Sequence, residues 1–73
     1  MPTDLDRARK LLPHWIEHNT EHAEEFRDWS SRVRGLAASL QTAAAAADAM
    51  AEAAAAMEES SWHLQEALRL LGQ

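Results

Sequence analysis

Eleven residues, Leu36, Leu40, Ala43, Ala47, Met50, Ala54, Met57, Ser61, Leu64, Leu68 and Leu71, recur at intervals of four and three without a slip. On a helix that spacing keeps one apolar stripe pointing at a partner helix, so the pattern predicts a coiled-coil seam about five heptads long. Its middle, Ala43 to Ala56, is almost all alanine. Alanine is the strongest helix former, so low complexity here means helix, and the small side chains let a second helix come close. The seam therefore needs a helical partner, and the only stretch left to supply one is the first half of the chain.

That first half carries its own stop and start signals. Thr3-Asp4-Leu5-Asp6 predicts a helix start, with Thr3 capping free amides and the acids at the positive end of the dipole. Pro13 cannot donate a backbone hydrogen bond and disfavours helical geometry at Leu12. The expectation is a first helical stretch to about Lys10 or Leu12, a kink, and a second stretch from Pro13 to about Arg34. Arg32 and Arg34 followed by Gly35 predict a helix stop with a left-handed glycine, and Gly72 predicts a second C-cap. The fold expected is all-α: an antiparallel helical hairpin over residues 1–73, kinked at Pro13, turning at Gly35 into a long second helix.

The run from Leu11 to Phe26 holds three of the four histidines, His14, His18 and His22, at one-turn intervals. With about 100° per residue and His14 at zero, Trp15, His22, Phe26, Trp29 and Val33 fall between about 60° and 120°, and Asn19 and Ala23 extend the stripe. This arc is expected to be the buried one, with His22 facing the core, His18 at its border and His14 half exposed. Glu17, Glu21, Glu24 and Asp28 fall on the solvent side, with Glu25 near the ridge. Asn19, a polar group in that stripe, would either set the register of the hairpin or orient a ligating histidine.

Neighbouring helical histidines four residues apart can hold one metal ion between them. Three of them span about 12 Å, too far for one ion to touch all. A site would use one adjacent pair and draw further ligands from Glu17, Glu21, the facing helix or a second subunit. Imidazole with carboxylate suits nickel, zinc, cobalt, copper or iron. A lone histidine on such a helix is better read as core or surface; three in register beside carboxylates favour metal. His14-Trp15-Ile16-Glu17-His18 and His18-Asn19-Thr20-Glu21-His22 each match an inverted zinc-protease motif. A protease also needs a cleft and a third ligand from a larger fold. No glutamate is followed by histidine at the third position, so a di-metal carboxylate bundle is disfavoured too. A turn at Gly35 would place His14 opposite Met57 and His22 opposite the Met50 region. Thioethers there would suit copper(I), although seam methionines are more simply core filler. Trp62 points away from the seam, and His63 reads as a surface group.

Composition excludes several classes. A net charge of -5 argues against nucleic acid, which needs clustered Lys and Arg. No apolar run approaches the roughly 20 residues of a membrane span. The segment Met1 to Asp4 lacks the basic and apolar regions of a signal peptide, so a soluble cytoplasmic protein is expected. The chain has no cysteine, which removes disulfides and thiolate ligands. At 73 residues a two-helix unit has little interior, so metal or self-association is the remaining route to stability. A dimer forming a four-helix bundle is the expected assembly.

The run Leu11-Leu12-Pro13-His14-Trp15-Ile16-Glu17-His18-Asn19, continuing through Glu21-His22-Ala23-Glu24-Glu25-Phe26, resembles the signature of a small, poorly characterised prokaryotic helical domain. The resemblance implies an association with nickel- and cobalt-handling proteins, with His14, His18, His22 and Asn19 as signature positions. It does not extend to the alanine-rich helix or to Ser61-Trp62-His63. The function expected is a transition-metal-binding helical module (sensor, carrier or accessory, not an enzyme) with a possible metal-handling protein as partner. The alternative is a coiled-coil hairpin that dimerises or docks without metal.

Overall fold

A computed structural model describes residues 3–72; Met1, Pro2 and Gln73, and with them part of the signal-peptide argument, lie outside the described residues. Two helices account for nearly all of it: α1, Asp4–Arg34, and α2, Ala43–Leu70. They pack antiparallel as a hairpin about 57 Å long. Among the described residues no helix is long and apolar enough to cross a membrane.

The start of α1 follows its sequence. Thr3 is extended at φ -86°, its hydroxyl accepts from the Asp6 amide at 3.2 Å, and the Asp6 carboxylate accepts from the Thr3 amide at 3.2 Å. This reciprocal cap satisfies two of the amides a helix leaves free at its start. The expected break at Pro13 does not occur: α1 runs unbroken through it. Proline removes one hydrogen bond, to the Arg9 carbonyl. Pro13 is exposed, while Leu12 is buried and Ile16 half-buried against α2. Contacts one turn apart on either side hold the helix together across the missing bond.

The face of α1 that packs is Leu12, Ile16, Asn19, Ala23, Phe26, Ser30 and Val33, itself spaced by fours and threes. This corrects the expected face, which was centred on Trp15, His22 and Trp29. The physical reason is the closeness of the helices. Ser30 Oγ, buried, donates to the Ala47 carbonyl at 2.7 Å, and Ala43, Ala47 and Ala54 have no exposed surface. Indole rings do not fit so narrow a seam, and they are turned outward onto its flank.

The turn is also longer than expected. Gly35 is right-handed (φ -62°, ψ -16°), not left-handed, and the chain winds through residues 35–42 in tight turns before α2 begins. Leu36 and Leu40, read as the first seam positions, lie in this turn and are each 49% exposed. From Ala43 onward every seam position is buried or half-buried. The longer turn shifts the register by about two helical turns, so that Asn19 meets Ser60 and Ser30 meets Ala47. The pairing of His14 with Met57 and His22 with Met50 is thereby lost. Gly72, at φ +88°, ends α2 as a left-handed cap. Arg69 holds the neighbouring Glu66 carboxyl below the usual carboxylate range, an exposed pair at the same end.

Candidate functional site

The hairpin has two unlike flanks. One is charged. Arg27 of α1 pairs with Glu58 of α2, and Arg34 with Asp48 at 2.6 Å. Beyond the Arg27–Glu58 pair, on the side away from the turn, lies a shallow groove of about 260 Å³ lined by Thr20, Glu24, Arg27, Glu58, Trp62 and Gln65. Trp62 is 68% exposed on this side. Its spacing in the sequence showed that it left the seam; which α1 residues share its flank depended on the face that α1 turns inward.

The other flank carries the histidines. Successive residues Leu11, Trp15, His18, His22 and Trp29 keep the four-and-three spacing, interrupted at Glu25, and form a row beside the packing face. All five are exposed, Trp15 by 45% and Trp29 by 52%. His22 is therefore not the core histidine that sequence periodicity suggested. The Arg32 guanidinium stands 4.8 Å from the Trp29 ring centroid and covers part of it. On α2 the same flank is small: Ala46, Ala49, Ala53 and Ala56 are exposed, followed by half-buried Ser60 and Ala67. The Asn19 amide donates to Ser60 Oγ at 3.1 Å along this flank. Asn19 thus sets the register between helices and does not orient an imidazole.

The three imidazoles form a ladder. His14 and His18 meet edge to face with centroids 4.5 Å apart, His18 and His22 lie 6.0 Å apart, and His22 stacks on Phe26 at 5.8 Å. The sequence-predicted residues His14, His18, His22, Glu17 and Glu21 all lie on exposed α1 surface. Of the imidazoles, the structure brings His14 and His18 closest. Among the described residues no group of three or more His, Cys, Asp or Glu side chains is placed to hold a metal ion. The structure thus brings two imidazoles of α1 together, His14 and His18, without a third ligand beside them. His63, 77% exposed at its side chain, reaches only Glu59 on its own helix, at 3.7 Å.

The family described as Domain of unknown function (DUF8180) matches residues 8–71. The chain belongs to this family. The match spans both helices and the turn, so the alanine-rich α2 is as much part of the domain as the histidine run. No curated protein and no solved structure matches the chain.

Proposed function

We propose that this DUF8180 domain is a transition-metal-binding helical module, a sensor, carrier or accessory and not an enzyme, whose ion sits on His14 and His18 with His22 adjoining. The observation that carries this reading is the approach of two exposed imidazoles one turn apart on a rigid helix. Rotation of exposed rings costs little, so both can turn a nitrogen toward one ion. Glu21, a turn beyond His18, and water would complete the shell. Nickel, zinc, cobalt and copper all suit such donors, and a metal-handling protein is the natural partner for a weak, open seat.

The test is thermal. A metal that binds only the folded chain raises its stability by about 2.7 kcal/mol at a hundredfold excess over the dissociation constant. Nickel, zinc, cobalt or copper should raise the melting temperature at about pH 7.5 and far less at about pH 5.5, because a protonated imidazole cannot ligate. His18→Ala should abolish the shift, since His18 belongs to both pairs. His63→Ala should leave it. A wild-type chain that shows no shift with any of the four metals sinks the proposal.

A second reading is favoured by a different observation, the exposure of Leu11, Trp15 and Trp29 on one flank. A row of exposed large apolar side chains on one flank of a small protein suits a contact surface. In this reading the hairpin is a structural module that docks through the flank, with or without an ion.

A further inference from the structure

We infer that the flank bearing Leu11, Trp15, His18, His22 and Trp29 is covered by the same flank of a second copy of this chain, with the two α1 helices antiparallel. The inference deepens the docking reading by naming the occupant, and it holds with or without an ion on the ridge.

Three observations point to a second copy. The first is the poverty of the core. Among the described residues no large side chain is fully buried, and those that are buried are Leu12, Ala23, Ser30, Ala43, Ala47, Ala54 and Ser61. A chain this short, without cysteine, gains most by burying the indoles it leaves exposed. The second is that the flank is free of charge on α2, where Ala46, Ala49, Ala53 and Ala56 allow another helix to approach closely. The opposite flank of α2 also exposes a tryptophan, Trp62, but carries Asp48 and Glu58 in ion pairs with α1, and an approaching helix would have to desolvate them.

The third is charge order along the outer edge of α1. From the N-terminus it carries Arg7, Lys10 and His14, then Glu21, Glu25 and Asp28, the last of these paired at 3.0 Å with Arg32, which ends the row. A parallel copy of α1 would set acid beside acid. An antiparallel copy sets Arg7 and Lys10 beside the partner's Asp28 and Glu25, and His14 beside the partner's Glu21. Such complementarity selects orientation and suppresses the wrong pairing. A two-fold axis then passes close to His18, and both copies present the same patch, as an isologous dimer requires. His18 of each chain comes beside the other, which would also add donors to the proposed metal seat.

The experiment uses the whole chain in metal-free buffer containing a chelator. Sedimentation equilibrium should give a dimer. Ala53→Glu, which puts a charge on the alanine flank, should weaken it by on the order of a hundredfold, because a charge buried unpaired at an interface is strongly disfavoured. Ala55→Glu, on the charged side of α2, should leave it unchanged, and both substitutions keep an exposed helix former. Because the chain has no cysteine, His18→Cys provides an orientation test: under mild oxidation it should form a disulfide-linked dimer. A wild-type monomer at all concentrations overturns the inference. A dimer weakened equally by both glutamates, or by neither, overturns it too and leaves docking through another surface. A dimer that His18→Cys does not cross-link refutes the antiparallel arrangement.

Discussion

Two glycines received the same reading from sequence, and the backbone treats them differently. Gly35 sits at φ -62°, where any L residue is at ease, and an added Cβ would meet the Arg32 carbonyl oxygen at 3.2 Å, a contact that a shift of a few tenths of an ångström in the turn relieves. Gly72 sits at φ +88°, where a Cβ is strained whatever the space, and the Arg9 guanidinium lies 3.3 Å from where it would stand. Gly35→Ala should therefore leave stability unchanged or raise it by about 0.4–1 kcal/mol, by narrowing the unfolded ensemble. Gly72→Ala should lower it by about 1 kcal/mol or more. Urea titrations of the two variants separate these cases, and a loss at Gly35 matching that at Gly72 would show that the carbonyl contact cannot relax. Arg32 and Arg34 before a glycine announce where a helix stops, but not the sign of φ at the glycine.

At the scale of the element, Pro13 poses the sharper question. The helix continues through a residue that removes a hydrogen bond and crowds the preceding turn. Pro13→Ala should restore the bond to Arg9 and stabilise the chain by about 1–3 kcal/mol in denaturant titration. A destabilised variant would mean that the proline shapes the path of α1 toward the end of α2. The proline was legible in the sequence as a breaker, and the packing of Leu12 and Ile16 that overrode it was not. The same holds for the faces. The seam of α2 from Ala43 to Leu71 could be read directly, because its spacing has a single solution. Helix α1 has two overlapping rows, Leu12 to Val33 and Leu11 to Trp29, offset by one residue. Hydrophobicity favours the first row, which holds Leu12, Ile16, Ala23, Phe26 and Val33, over the second, where Leu11, Trp15 and Trp29 alternate with His18, His22 and Glu25. Size agrees, since a partner helix of alanine approaches too closely for indole, but a reading centred on His14 and the tryptophans lets the aromatic row stand in for the aliphatic one beside it. The histidine row was legible as a row; its exposure depended on which face α1 turned inward.

Considered as a whole molecule, the hairpin is closed at one end by covalent chain and must be closed at the other by side chains. The turn at residues 35–42 fixes one end, and there Ser30 reaches Ala47 and Arg34 reaches Asp48. At the open end the connection is Arg9, whose Nε donates to the Leu71 carbonyl at 2.8 Å. That carbonyl is among those a helix leaves without a partner at its C-terminus, where a cation is also favoured by the dipole. Unlike the exposed ion pair of Arg27 and Glu58, this bond is part-buried and joins residues 62 apart in the chain, so it resists the fraying to which helix ends are prone. Arg9→Ala should raise hydrogen exchange at Leu68 to Gly72 by on the order of tenfold, the equivalent of one net hydrogen bond. Exchange at Ala47 and Ala54, near the turn, should stay as in the parent. Arg27→Ala should change neither region measurably, because its pair is solvated. Equal acceleration along the whole of α2 in the Arg9 variant would mean that the hairpin opens as one unit, and that the open end is held by the seam and not by its arginine.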